Sequence, residues 1–353
     1  MLRRWTERFN LTDLVMFLIG ASIVGLALVG VVLNILHPKF TGPQWWSFVV
    51  DGLTLGSIYA LIALGYTLVY GILRMINFAH SEVFMSGPFT AYFLADAMES
   101  SGFLEQNLAV GLLAIFFLSM SVSTAVAVLL ERIAYRPLRF APRLVPLITA
   151  IGASFFLLYF FKGLYGANIK VYPEIAALRT VIQIGDLRIR NLQVLVIVAA
   201  ALMMFGLHLF IQKTRTGKAM RAVAEDKQTA ALMGIDIDRI IVITFVLGGA
   251  LAGAAGVLYG LTFKQVKFDM GFIPGIKAFT AAVLGGIGNI PGAMVGGLFL
   301  GVTESIGPSL FLDPFGVPAP GQLKDAIAFT LLVLVLIFRP SGILGEKLTQ
   351  KKA

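Results

Sequence analysis

Two groups of polar residues in this chain of 353 carry side chains able to do chemistry. The first is His80-Ser81-Glu82, with Arg74 and Asn77 just ahead of it, at the end of a long apolar run. Imidazole, hydroxyl and carboxylate together could serve acid-base or nucleophilic catalysis. Adjacent helical residues diverge by roughly 100 degrees, however, so Ser81 and His80 would need distortion to meet. No G-x-S-x-G and no H-E-x-x-H accompanies them. The cluster therefore reads either as a polar helix start at a membrane interface or as a lining of a solute path or gate by Asn77, His80 and Glu82. The second group is Lys277 and Glu304, both in apolar surroundings where an unpaired charge is costly. Each must face protein or a water-filled cavity, as a structural ion pair or as part of the path. Asp51 and His208 fall at span ends with no role assigned, and Lys324-Asp325 reads as an interfacial pair opening the last span.

Other chemistries are excluded by what the chain lacks. It has no cysteine, and its three histidines (His37, His80, His208) are scattered, so no disulfide, metal site or cofactor is expected. Gly217-Lys218 is not a P-loop: Gln212 stands where its first glycine should be, and Ala219 follows the lysine. The chain cannot bind ATP through such a loop of its own. A pump built on it must borrow a motor.

The elements that position these residues are membrane helices. With 58% hydrophobic and 13% charged residues and a mean hydropathy of +0.87, the chain is too apolar for a soluble globule. The net charge of +9 sits in loops and tails, where membrane topology explains it without nucleic acid. Apolar runs fall at about 14–36, 46–73, 82–98, 107–130, 144–162, 191–211, 240–262 and 323–338. The region 272–310 is apolar but broken by Pro274 and by Gly285 to Gly292. The first run follows Arg3, Arg4 and Arg8 and exceeds a signal-peptide core in length, so it is expected to be retained.

Basic residues accumulate in loops that stay inside. The N-terminal arginines, the loop 131–143, the polar segment 213–239 and the tail (Arg339, Lys347, Lys351, Lys352) all satisfy this in one arrangement, with both termini cytoplasmic. That arrangement makes 272–310 enter and return, as two short spans or as a re-entrant pair; two spans give about ten in all. Segment 163–190, placed outside, opposes the rule with Lys170, Arg179, Arg188 and Arg190. The expected fold is an all-α polytopic membrane protein: one membrane domain over 1–340 with broken helices at 272–310, and a tail over 341–353. Gly-x-x-x-Gly pairs begin at Gly52, Gly249, Gly256, Gly292 and Gly297 and allow close helix packing within a bundle, with a sliding or dimer surface as the alternative. A similarity between 77–99 and 289–304 points to an inverted internal two-fold.

The segment 213–239 holds six basic residues yet is patterned as helices. Met220, Val223 and Ala224 share a face, Asp226 can cap a second short helix from about Lys227 to Met233, and Gly234 suits the residue after its end. A capped, amphipathic cytoplasmic loop is a docking surface for a partner rather than a solvated linker.

Three ordered blocks resemble the permease subunits of bacterial ABC importers for branched-chain amino acids, the shorter member of the permease pair. They are Gly56 to Gly71 with Met75 to His80, Thr214 to Asp226 with Ala230 to Ile235, and Ala281 to Gly297. Ser81 departs from the usual glycine after the motif histidine, and Gly87-Pro88-Phe89 from Gly-Ala-Tyr; Pro88 is expected to kink or offset its span. The resemblance implies a type II-like importer membrane domain in the bacterial inner membrane. It also implies a homologous permease partner, two cytoplasmic ATPase subunits and an external solute-binding protein. Residues 212–239 would then be the coupling loop, with Arg221, Ala224, Glu225, Asp226, Ala230, Ala231 and Gly234 meeting the ATPase. Solutes among relatives include leucine-like amino acids and small amides such as urea. A stand-alone channel or carrier, or an intramembrane enzyme, is the rival reading.

Overall fold

The computed structural model describes residues 11–139, 141–142, 144–339 and 341–345. Arg3, Arg4, Arg8, Arg143, Lys347, Lys351 and Lys352, and the tail beyond 345, lie outside the described residues. The helices are α1 (Leu11–Leu36), α2 (Gly42–Leu73), α3 (His80–Ser100), α4 (Phe103–Gln106), α5 (Leu108–Leu130), α6 (Leu144–Tyr165), α7 (Ala176–Arg179), α8 (Asn191–Lys213), α9 (Arg215–Glu225), α10 (Lys227–Leu232), α11 (Ile237–Phe263), α12 (Phe272–Gly285), α13 (Ile290–Gly307) and α14 (Lys324–Phe338). Eight of these are long and apolar enough to cross a bilayer. The remaining two of the bundle are α3, which is charged near both ends, and α12, whose 14 residues reach only about 21 Å. Pro88 does not break α3, which continues through it. Its ring abuts Gly256 of α11, where a Cβ would fall 2.6 Å from Pro88 Cδ, so the expected offset is absorbed by a glycine on the neighbouring helix.

Close approach of backbones organises the bundle. A Cβ on Gly301 of α13 would lie 2.3 Å from Gly56 Cα of α2, and one on Gly52 would lie 2.6 Å from Val302 Cα. On the other side of the core, Gly249 and Gly253 of α11 meet Thr124, Ser119 and Met120 of α5 in the same way. In both pairs the numbering runs in opposite senses, so the helices are antiparallel. Between the pairs, Gly248 of α11 faces Gly65 of α2, and Ser57 to Val69 of α2 are continuously buried. Lipid gives no hydrophobic drive between helices, so this contact depends on small residues that let the backbones approach.

The packing repeats. α2 corresponds to α11, α3 to α12 and α5 to α13. Each of α5 and α13 ends in a π turn (Glu131–Tyr135 and Pro308–Leu312) followed by a 3-10 turn (Arg136–Leu138 and Asp313–Phe315). α2 ends against the loop ahead of α11, through Arg74 and Ala224 O, and α11 starts from that loop, so the two run antiparallel and the halves are inverted relative to each other. The sequence similarity of 77–99 to 289–304 set α3 against α13, which is offset by one helix: both begin with a turn and small residues, but α13 occupies the place of α5.

Replacing Gly301 with valine therefore overpacks the core, whereas Gly206 of α8, with nothing within 4 Å of its Cβ position, accepts the same change. Thermal unfolding in detergent should show Gly301→Val destabilised by about 1–3 kcal/mol or more and Gly206→Val close to the parent.

Candidate functional site

At one end of the bundle, α9 and α10 form a compact loop whose turns are set by side-chain caps. Thr214 Oγ1 accepts from the Gly217 N–H at 3.0 Å, and Met220 and Val223 are buried, which pins α9 to the bundle through the face expected from the sequence. Asp226 ends α9 and starts α10: one carboxylate oxygen accepts from the N–H groups of Gln228 (2.8 Å) and Thr229 (3.1 Å), the other from the Thr229 hydroxyl (2.8 Å). Gly234 then adopts φ +82°, which lets Ile235 N–H reach Ala230 O at 3.1 Å. Asp236 caps α11 through Arg239 N–H at 3.1 Å. Arg74, at the end of α2, donates to Ala224 O at 2.9 Å, and Arg221 to Gln212 at 3.1 Å.

Arg221, Glu225, Asp226, Ala231 and Gly234 are exposed, Ala224 is half-buried and Ala230 is buried. Sequence reasoning missed the tip. Leu232 and Met233 are 87% and 78% exposed, two large apolar side chains held out by a loop otherwise rich in charge. Their place just before Gly234 was the available signal.

Sequence reasoning also missed a charge network behind this loop. Arg139 bridges Glu131, which is fully buried, and Asp238 at the start of α11; Arg136 pairs with the same Asp238. The chain of charges ties the end of α5 to the base of the loop. Burial, with the nearby guanidinium groups of Arg139 and Arg74, holds the Lys227 ammonium below the usual lysine range.

The first polar cluster starts α3 and is enclosed by the bundle. His80, Ser81 and Glu82 are all buried, because the stretch between α2 and α3 turns back into the bundle: His80 packs against Gly65, eight residues before the end of α2. Its ring meets Tyr66 edge-on with centroids 4.8 Å apart. Asn77 accepts from the Tyr135 hydroxyl at 2.6 Å. Glu82 accepts from Ser81 (3.4 Å) and from Ser154 of α6 (3.2 Å), and among the described residues no cation pairs with it.

Lys277 and Glu304 form a second cluster. Lys277 Nζ is 2.7 Å from Glu304 Oε1 and 2.7 Å from Asp325 Oδ1, and the Tyr59 hydroxyl lies 3.4 Å from Glu304. Asp325 is thus a partner of a buried lysine rather than half of an interfacial pair with Lys324. Its approach is an ion contact without hydrogen-bond angles, and its side chain is 42% exposed against 3% for Lys277. The two clusters share α12, where Gly275 faces Ser81 and Lys277 faces Glu304. No hydrogen bond among the described residues joins them.

Comparison with known proteins places this arrangement. Residues 48–336 match the family described as the permease component of the branched-chain amino acid transport system. The chain is 47% identical over 305 residues to the high-affinity branched-chain amino acid transport system permease protein BraD of Pseudomonas aeruginosa, covering 86% of this chain and 96% of that one. It is 42% identical over 304 residues to LivH, the permease protein of the same description in Escherichia coli K12, covering 85% and 96%. The probable LivH of Methanocaldococcus jannaschii is 29% identical over 300 residues, covering 82% and 89%. No solved structure matches the chain.

The Lys277 cluster yields a direct expectation. Lys277→Met leaves buried Glu304 unpaired and should lower stability by about 3–5 kcal/mol, measured by unfolding in detergent, and Glu304→Gln in the same background should restore part of the loss. Asp325→Asn, at the exposed edge, should cost about 1 kcal/mol or less.

Proposed function

Because the chain belongs to the family of branched-chain amino acid transport system permease components, we propose that it is the membrane subunit of an ATP-driven importer of branched-chain amino acids. The relatives' names support that solute over urea or a short amide. The proposed complex sits in the bacterial cytoplasmic membrane. It pairs this chain with a homologous permease, two ATPase subunits inside and a solute-binding protein outside. Both termini lie in the cytoplasm.

The observation that carries the reading is the loop 212–239. With no P-loop of its own, the chain must receive the work of ATP hydrolysis through contact, and a contact can transmit work only if it is stiff. The loop is capped at Thr214, Asp226 and Asp236, bonded to α2 through Arg74 and buttressed by the Glu131-Arg139-Asp238 charges. Leu232 and Met233 form an apolar knob of the kind that dominates binding energy when it enters a pocket. Arg221, Ala224, Glu225, Asp226, Ala230, Ala231 and Gly234 shape the surface around that knob.

ATP binding draws the two motors together, the loops move with them, and the inverted halves of each permease rock to expose the path to one side and then the other. The path is proposed to run beside α3 and the short helix α12, with Asn77, His80, Glu82, Lys277 and Glu304 as the polar groups bordering it. These groups are buried in the conformation described and would be uncovered by the rocking motion. This chain has no hydrolytic role; hydrolysis belongs to the ATPases.

The test is uptake of labelled leucine by vesicles holding the whole complex with its binding protein. Uptake should require ATP, and Leu232→Glu or Gly234→Val should lower it at least about tenfold while releasing the ATPase on purification. Undiminished uptake without the ATPase, or in those variants, would overturn the reading.

A further inference from the structure

Three acidic side chains among the described residues lie buried inside the bundle: Glu82, Glu131 and Glu304. Two of them have a cation built in beside them, since Glu131 meets Arg139 and Glu304 meets Lys277. Glu82 has hydroxyls only. An ionisable group enclosed in a membrane bundle carries a desolvation cost that a resident cation ordinarily offsets, so a buried carboxylate without one points to a use for its charge.

The surroundings of Glu82 suit a cation that arrives from elsewhere. Its Oε1 accepts from Ser81 and from Ser154 of α6, while its Oε2 is buried with no hydrogen-bond partner among the described residues. A third hydroxyl stands close by. A Cβ on Gly275 of α12 would fall 2.5 Å from Ser81 Cβ and 3.4 Å from the Tyr66 hydroxyl, and that hydroxyl is near enough to feel the Glu82 charge. Four helices, α2, α3, α6 and α12, thus gather hydroxyl oxygens around one carboxylate. The other acid acting on Glu82 is Asp269, just ahead of α12, and Lys267 already engages it at 3.2 Å. An apolar wall adjoins the polar group: the Tyr66 ring lies 5.9 Å from that of Phe279, which lies 6.1 Å from that of Phe78. Beyond α6 this chain places no further layer over the site, for Phe155 and Phe156, next to Ser154, are 59% and 67% exposed.

We infer that Glu82 receives the α-ammonium group of the amino acid in transit, with the hydroxyls of Ser81, Ser154 and Tyr66 as further acceptors. This deepens the importer reading and rests on it. A primary ammonium offers three N–H donors and no acceptor, and each hydroxyl oxygen keeps lone pairs to accept with. Solute ammonium and Glu82 carboxylate both lose water when they meet in the bundle, and a charge-assisted hydrogen bond between them offsets that cost for each. The aliphatic side chain of the solute then has the Tyr66, Phe279 and Phe78 rings to rest on. Displacement of α6, which carries Ser154, opens the carboxylate to the path.

The experiment measures equilibrium binding of labelled leucine to the full complex in nanodiscs without the binding protein, both nucleotide-free and with a non-hydrolysable ATP analogue. In the parent, isoamylamine, which keeps the ammonium and loses the carboxylate, should displace leucine. Isocaproate, which keeps the carboxylate and loses the ammonium, should not displace it at the same concentration. Glu82→Gln keeps the size of the side chain without its charge and should weaken leucine binding about tenfold or more, with Glu82→Asp weakened less. Leucine binding in Glu82→Gln equal to the parent overturns the inference, as does displacement in the parent by isocaproate rather than isoamylamine. Parent binding that needs added sodium, with the need lost in Glu82→Gln, also overturns it and would make the carboxylate an alkali-cation site. A parent complex that imports leucine yet retains none in either state overturns it as well. Failure of the importer reading shows separately, as absent ATP-driven leucine uptake by vesicles holding the parent complex and its binding protein.

Discussion

Contact between backbones, made where Gly56 of α2 meets Gly301 of α13 and where Gly253 of α11 meets Ser119 of α5, is the constraint on which the molecule depends. Lipid supplies no hydrophobic drive to press helices together, so association rests on how closely their surfaces fit. Each glycine removes the side chain that would hold the axes apart. The consequence is a bundle that encloses the middle of α2, a helix of 32 residues apolar enough to have stood at the lipid boundary. Around that axis the other helices fall into two inverted halves.

An enclosed, stiff α2 is also what joins the ends of the molecule. One end of it holds the loop 212–239 through Arg74, and the region near its other end holds Arg190, just ahead of α8, through Asp51. Between them it contributes Tyr59 to the Lys277 cluster and Gly65 to the seat of His80. The polar groups in the interior are thus distributed around one rod. Close-packed contacts of this kind shift between discrete arrangements rather than stretch. The buried charges are not large sources of stability in this scheme. Their desolvation offsets much of the attraction, and their value lies in fixing which helices adjoin.

Much of this was legible in the residues, and the legible part is the local part. The Asp226 cap, the short helix after it and the turn at Gly234 are specified within ten residues, so pattern alone located them. Glycine at four-residue spacing likewise announced close packing, because the requirement is a property of one helix face. What the sequence withheld depends on distant partners. Asp325 beside Lys324 looked like an interfacial pair, and only the fold brings it to Lys277, 48 positions away. His80-Ser81-Glu82 does open a helix, as its polar character suggested, but nothing local shows that the preceding turn packs into the bundle. The network of Glu131, Arg139 and Asp238 links residues a hundred positions apart. In the loop 131–143 its members read only as a topology signal.

The central claim is that the loop 212–239 is a rigid handle held by a cytoplasmic ATPase, and the absence of native cysteine makes it directly measurable. A single Leu232→Cys substitution would give the chain one thiol, at the tip of the loop. In the assembled complex that thiol should form cross-links to the ATPase subunit in high yield and should resist a membrane-impermeant thiol reagent applied to the outside of intact cells. Labelling of Leu232→Cys from outside, with no cross-link to the ATPase, would contradict the account.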